Sequence, residues 1–205
     1  MKKEIKAIIF DVGGVLALGE LEKGKTSVHK SIAKKLNFTI DGYLDAIDTA
    51  YANSVEGRAS KQKTMEIMAK NLKTPQKKLK KILIKVYKKN FKQNKQLFKK
   101  AFELKKQGYK IAVLSDQWHL SKEALMPDKL YKRFDKVVVS CDVGVRKPNP
   151  KIYKLILKKL KLPAKQTLFI DNQEWNIKPA KKLGMKTILY KNNKQLFKEL
   201  DRLKI

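Results

Sequence analysis

Five short apolar or β-branched runs, each ending at polar or glycine-containing residues, constrain this chain more than any other feature. The first, Ile5 to Phe10, is broken only by Lys6 and runs straight into Asp11-Val12-Gly13-Gly14. The others are Tyr109 to Ser115, Lys136 to Ser140, Thr167 to Ile170 and Lys186 to Tyr190. Runs this short fit buried strands that stop at sharp turns. Between them the apolar period becomes helical. Leu97, Phe98, Ala101, Phe102 and Leu104 mark one helix face that Gly108 would stop, and Ile152, Tyr153, Ile156, Leu157 and Leu160 mark another before Pro163. Strand and helix alternating from residue 94 to the end predict a mainly parallel sheet covered by helices on both faces. The ligand site of such an α/β fold is expected at the carboxyl ends of its strands.

Residues 17–93 do not alternate in this way and read as helices only: Val28 to Leu36, Gly42 to Ala52, Lys61 to Leu72, and Pro75 to Lys89. Thr74 is the expected N-cap of the last, whose apolar face carries Leu79, Ile82, Leu83, Val86 and Tyr87. The expected organisation is therefore an α/β core of residues 1–16 and 94–205 with an all-helical insertion, 17–93, after the first strand. A chain of 205 residues with 42% hydrophobic content has material for a real core, as one domain with room for a smaller module.

Charge narrows the partners. Lys and Arg total 49 against 19 Asp and Glu, for a net charge of +30, yet Arg occurs only at positions 58, 133, 146 and 202. Such charge raises encounter rates with phosphorylated solutes and nucleic acid. Specific phosphate and base readout prefers the arginine fork, so lysines on solvated helix faces are the plainer reading. With no RNA-binding aromatic motif or helix-turn-helix pattern, any nucleic-acid association is expected to be non-specific and electrostatic. Cys141 is the only cysteine, so it forms no internal disulfide, and it does not build a metal site alone with only His29 and His119 in the chain. Neither a membrane-spanning run nor a secretory signal is visible, and a cytoplasmic location is expected. Nothing in the pattern specifies an oligomeric state.

Four polar positions follow apolar strands: Asp11, Ser115, Lys147 in the loop after the Lys136 strand, and Asp171. For any one Asp in such a place a turn or helix cap is the ordinary explanation. All four on one sheet edge would instead pair two carboxylates with a hydroxyl and an ammonium, a plausible site for a divalent cation and a phosphate.

These residues lie in segments that resemble the four motifs of the haloacid dehalogenase (HAD) superfamily of hydrolases. The segments are Ile8-Ile9-Phe10-Asp11-Val12-Gly13-Gly14-Val15-Leu16, Ile111-Ala112-Val113-Leu114-Ser115-Asp116, Val143-Gly144-Val145-Arg146-Lys147-Pro148-Asn149-Pro150 with Ile152-Tyr153, and Leu168-Phe169-Ile170-Asp171-Asn172 followed by Asn176. They occur in the family's order and span nearly the whole chain. The resemblance implies a Rossmannoid fold with a cap, and a Mg²⁺-dependent phosphatase of small phosphorylated metabolites. Asp11 would be the nucleophile that forms an aspartyl-phosphate, splitting one hard displacement into two. Asp11, the Gly13 carbonyl, Asp171 and Asn172 would hold the metal. Ser115 and Lys147 would bind the phosphoryl oxygens, with Asp116 and Arg58 as further substrate contacts. The insertion would be the cap that closes over the site.

Two positions depart from the pattern. Gly13 stands where most of the family's phosphatases carry the Asp that protonates the leaving group, a role worth roughly 10² to 10⁴ in rate. Asn172 stands where a second acidic residue is frequent, which weakens the expected Mg²⁺ affinity. His119 is a candidate replacement acid, although a solvent-facing helix start is the plainer reading; His29 reads as structural. Trp118 and Trp175 either wall the pocket or pack between cap and core. Cys141 reads as an inert buried thiol. For Arg58 a surface salt bridge to Glu56, or a capping role for Ser60, is the plainer reading. A metal-independent dehalogenase and a non-catalytic phosphate-binding or basic nucleic-acid-associating module are the alternatives, separable by phosphatase assay.

Overall fold

The computed structural model describes residues 4–19 and 27–205. Among the described residues seven strands are present: β1 (Ala7–Phe10), β2 (Ala17–Gly19), β3 (Phe91–Gln93), β4 (Lys110–Ser115), β5 (Lys136–Val139), β6 (Thr167–Asp171) and β7 (Lys186–Leu189). The five expected from the apolar runs form one sheet in the order β5-β4-β1-β6-β7. Every pairing in it is parallel, and Phe10 lies between Val113 and Ile170. All strands of this sheet therefore end on the same edge.

Helices follow the chain as α1 (Ser27–Lys35), α2 (Ile40–Val55), α3 (Lys61–Asn71), α4 (Gln76–Asn90), α5 (Lys95–Lys106), α6 (His119–Leu125), α7 (Asp128–Tyr131), α8 (Ser140–Val143), α9 (Pro150–Leu160), α10 (Glu174–Lys182) and α11 (Asn193–Arg202). Successive side chains of a strand point to opposite faces, and both faces of this sheet are apolar. Ile8, Phe10, Ile111, Val113, Leu168 and Ile170 pack in one core with residues of α5, α11 and the insertion. Ala7, Ile9, Ala112, Leu114 and Phe169 pack in a second with Ile152, Tyr153 and Ile156 of α9 and Ile177 of α10. Burial on both sides is why these strands read as continuous apolar runs. No described helix is long and apolar enough to cross a membrane.

The segment read as helices only carries α1 to α4, but it opens and closes with β2 and β3, which pair antiparallel with Ala17 opposite Gln93 and Gly19 opposite Phe91. An insertion must leave and re-enter the core at neighbouring points, so its two ends run side by side and satisfy each other's backbone groups. Three residues are too few for a readable alternation. At Gly19 a Cβ would meet the Phe91 ring at 2.5 Å, so any larger residue at this crossing would have to displace that ring. Asn94 ties the seam: its N–H donates to Leu16 O at 2.9 Å and its Nδ2 to Val15 O at 2.9 Å. Thr74 is not the cap of α4; Pro75 holds that position with no side-chain cap, and the Thr74 hydroxyl turns back to donate to Leu72 O at 2.8 Å, at the end of α3.

Candidate active site

The carboxyl ends of β1, β4 and β6 deliver Asp11, Ser115 and Asp171 to one point, and the loop after β5 delivers Lys147. Lys147 Nζ lies 3.0 Å from Asp11 Oδ1, 2.6 Å from Asp171 Oδ2 and 3.5 Å from Leu114 O. All four side chains are buried. One ammonium thus touches both carboxylates predicted to share a cation.

Local geometry explains the placement. After Asp11 the chain reverses in a tight turn, with Ala17 N donating to Val12 O and Gly14 N to Ala17 O, each at 2.8 Å. Gly14 has φ +81, and a Cβ there would sit 2.3 Å from Asn172 Nδ2. Glycine is required twice over, for the left-handed backbone and for the close approach of Asn172. The Lys147 loop is held by its own N–H, which donates to Asp116 Oδ1 at 3.0 Å, and by Asn149, which caps α9 ahead of Pro150. Proline at the first helical position has no N–H to leave unpaired.

The electrostatics are unbalanced towards negative charge. Burial pulls the Lys147 ammonium down, but Asp11, Asp171 and Asp116 outweigh it and hold the group above the ordinary lysine range. Asp11 is pushed up to about 6, chiefly by burial and further by the Asp171 charge, against the opposing pull of Lys147 and the Ser115 hydroxyl. Burial likewise raises Asp116, with Lys147 opposing. Asp171 accepts from Gln173 N at 2.8 Å and from Asn176 Nδ2 at 3.2 and 3.1 Å, which fixes its carboxylate plane. Asn172 Oδ1 is buried without a hydrogen-bond partner. An orphaned amide oxygen beside two buried carboxylates short of positive charge is a hard-oxygen donor set, and it fits Mg²⁺.

Beside Gly13 lies a cavity of about 150 Å³. Its core wall includes Asp116 and Gln117, and its opposite wall comes from the insertion, through His29, Tyr51 and Tyr87. Trp118 joins the two walls, its Nε1–H donating to Tyr87 OH at 3.0 Å. Trp175 is 61% exposed and walls nothing. His29, read as structural, lines the cavity; its Nδ1 is buried without a hydrogen-bond partner, and burial lowers its pKa. His119 does not face solvent: its Nε2 lies 3.0 Å from Ala59 O, because the carbonyl of this half-buried turn needs a donor. Arg58 pairs with Glu56, its side chain is 63% exposed, and it does not line the cavity. Ser60 caps α3, accepting from Lys63 N at 3.1 Å. Cys141 is a buried thiol pushed up to about 12, mainly by burial and then by Asp142.

Gln117 is not singled out in the sequence, and Asn176 enters only as the end of the fourth motif, with no role given. Gln117 donates through Nε2 to Ser115 Oγ at 3.2 Å, and its own N–H is held by Ser140 Oγ at 3.0 Å. Asn176 orients Asp171 from five residues downstream. Their spacing follows from where a loop and a helix return to the sheet edge, and no periodic signal marks it.

A family model described as haloacid dehalogenase-like hydrolase matches residues 5–184. The chain is 26% identical over 215 residues to bifunctional epoxide hydrolase 2 of Sus scrofa, a match taking in 97% of this chain and 39% of that protein. It is 37% identical over 92 residues to glyceraldehyde 3-phosphate phosphatase of Methanocaldococcus jannaschii, covering 42% of this chain and 39% of that one. These matches thus span well under half the length of either relative. A HAD family enzyme of Bacteroides thetaiotaomicron, solved in complex with magnesium and inorganic phosphate, shares the fold with a TM-score of 0.72 at 20% identity, covering 94% of this chain and 99% of that one.

Proposed function

Because the chain belongs to the haloacid dehalogenase-like hydrolases, we propose that it is a Mg²⁺-dependent phosphomonoesterase of small phosphorylated metabolites, acting through an aspartyl-phosphate on Asp11. The observation that carries this reading is the single Lys147 ammonium held 3.0 Å from Asp11 and 2.6 Å from Asp171. Such an arrangement suits an anionic group entering between carboxylates only if further positive charge offsets the repulsion.

Asp11, ionised, attacks phosphorus through a carboxylate oxygen; the new O–P bond forms as the bond to the leaving oxygen breaks. Water then attacks the same phosphorus, releasing phosphate and restoring the carboxylate. Lys147 and the Ser115 hydroxyl stabilise the charge spread over the phosphoryl oxygens, and Gln117 keeps the Ser115 oxygen in place. Asp171, the Asn172 side-chain oxygen, the Gly13 carbonyl and Asp11 would hold Mg²⁺, which supplies charge neutralisation and in-line orientation when bound. Gly13 has no proton to give the leaving group, so good leaving groups are favoured. Residues 17–93 act as the lid over a core of 1–16 and 94–205, and the cavity between them selects the substrate. Asp116 meets the substrate from the core wall, while Arg58 joins only by releasing Glu56. A dehalogenase would use the same Asp11 on carbon without a metal; the hard-oxygen donor set favours the phosphatase. The relative named glyceraldehyde 3-phosphate phosphatase supports the same class.

The test is phosphate release from p-nitrophenyl phosphate, acetyl phosphate and a phosphometabolite panel, with and without Mg²⁺, for the wild type beside Asp11→Asn. Mg²⁺-dependent release is expected, and the substitution should reduce it on the order of 10⁴-fold or more. Equal rates in the two proteins would remove Asp11 as nucleophile. Inactivity towards every compound would leave a phosphate-binding module.

A further inference from the structure

Away from the carboxylate site, at the seam between insertion and core, a ring nitrogen of His119, Cys141 Sγ and a carboxylate oxygen of Asp142 lie within 4.8 Å of one another. His119 opens α6, just after the Ser115 strand, and the other two belong to the single turn of α8. We infer that these three side chains form a second metal site, one that takes a zinc-type cation and not Mg²⁺.

Ligand chemistry sets the choice. Imidazole, thiolate and carboxylate together make a borderline-soft set that suits Zn²⁺, whereas Mg²⁺ takes oxygen donors and keeps its waters. Metal–ligand bonds of about 2.0–2.3 Å in a tetrahedron put ligand atoms roughly 3.4–3.7 Å apart. Cys141 Sγ already lies 3.7 Å from Asp142 Oδ1. The other ligand pairs lie within 4.8 Å, so binding needs them to close by about 1 Å at most.

The surrounding groups are arranged as outer partners of a metal site. His119 Nε2 faces the Ala59 carbonyl at 3.0 Å. A carbonyl can only accept, so Nε2 carries the ring proton in this contact, and the site requires that Nδ1, left with the lone pair, be the nitrogen that meets the metal. A backbone carbonyl holding the far nitrogen is the usual second contact of a metal-bound histidine. Lys122 Nζ holds both oxygens of Asp142, at 3.0 and 2.7 Å, and retains one while the other turns to the cation. On binding, the Cys141 S–H proton leaves to solvent and a metal–sulfur bond replaces it. Thiolate and carboxylate then balance the two positive charges of the ion, with the fourth position open to water.

The location gives the site a consequence. Ala59 belongs to the turn between α2 and α3, and at Gly57 in the same turn a Cβ would meet Gly144 Cα at 2.9 Å and Cys141 O at 3.1 Å. The insertion therefore presses on the core at the metal ligands themselves. An ion here fixes the His119–Ala59 contact and holds the insertion against the core.

Co²⁺ is the probe, because a cobalt–thiolate charge-transfer band requires sulfur and Cys141 is the only cysteine. Full-length protein saturated with Mg²⁺ is titrated with Co²⁺ and then with Zn²⁺. The expected result is a near-ultraviolet charge-transfer band that saturates at one equivalent, is displaced by Zn²⁺ and persists in excess Mg²⁺. His119→Ala and Asp142→Asn, checked for fold by circular dichroism, should each weaken Co²⁺ binding by at least about tenfold. Zn²⁺ should raise the melting temperature of the wild type and not that of Cys141→Ser. No band at stoichiometric Co²⁺ would overturn the site. So would a titration unchanged in both His119→Ala and Asp142→Asn, or a Zn²⁺-induced melting shift retained in Cys141→Ser.

Discussion

The two walls of the cavity beside Gly13 are built on opposite principles. Behind the core wall, where Asp116 and Gln117 line the cavity, lies charge: Asp11, Lys147 and Asp171 are buried, joined by one ammonium, and set by where parallel strands end. The insertion's wall is shape, made of His29, Tyr51 and Tyr87 and joined to the core through Trp118. A buried charge is tolerated only when its partners are positioned to better than an ångström, which backbone ladders achieve. An aromatic wall needs only volume and a few satisfied polar tips. On the proposed function, chemistry would belong to the rigid sheet edge, and selection to the side that evolution and engineering can repack.

The strongest test of this division is at Gly13, where the walls meet. A Cβ there meets nothing within 4 Å, so Gly13→Asp fits. It is expected to raise turnover of alkyl phosphates by roughly 10² to 10⁴ while barely changing p-nitrophenyl phosphate, whose leaving group needs no proton. Parallel rates on both substrates would show that the acid already comes from the insertion's side, where His29 stands.

Next in size is Lys147→Met. Removing the ammonium leaves Asp11 and Asp171 buried without their cation, which should cost about 3–5 kcal/mol by denaturant unfolding without metal. Turnover should fall roughly 10²-fold or more. A stability change under about 1 kcal/mol would mean that water already screens the core wall.

Proton linkage at Asp11 follows in magnitude. Its pKa is raised from 3.8 to about 6 by burial first and the Asp171 charge second. A raised acid favours the folded state in its protonated form. Without metal, the stability this group contributes is present below 3.8 and is lost as pH rises through about 6. Mg²⁺ binding runs the other way, because a protonated carboxyl is no ligand: affinity should fall as pH drops below about 6. Calorimetric Mg²⁺ titrations and EDTA melting curves on either side of that pH would check both slopes, and a pH-independent affinity would remove Asp11 from the ligand set.

The smallest effect is expected from the insertion's wall. Tyr87→Phe leaves the buried Trp118 N–H unpaired, costing about 1–3 kcal/mol. It should change KM several-fold across a substrate panel with kcat nearly constant. A kcat loss comparable to that of Lys147→Met would erase the distinction between the walls.

Legibility in the sequence divides along the same line. All five sheet strands were readable, because burial on both faces demands continuous apolar runs. Asp11, Ser115, Lys147 and Asp171 were readable as polar residues closing those runs. The β2–β3 ribbon was not, since three residues carry no period and their pairing exists only because the insertion's ends are neighbours. The cap of α4 was misread because the Thr74 hydroxyl turns back to Leu72 O at the end of α3, a contact that no residue pattern marks.

By itself the sequence determined the parallel sheet, the edge on which its candidate site lies and the four residues delivered there, because strand period and strand termination are local properties of the chain. Only the tertiary structure decided that Lys147 bridges both carboxylates, that Gln117 and Asn176 brace the site, and that His29, Tyr51 and Tyr87 line the cavity beside Gly13. Those are contacts between segments tens of residues apart, and their distances are set by how helices pack across the sheet and not by any pattern along one segment.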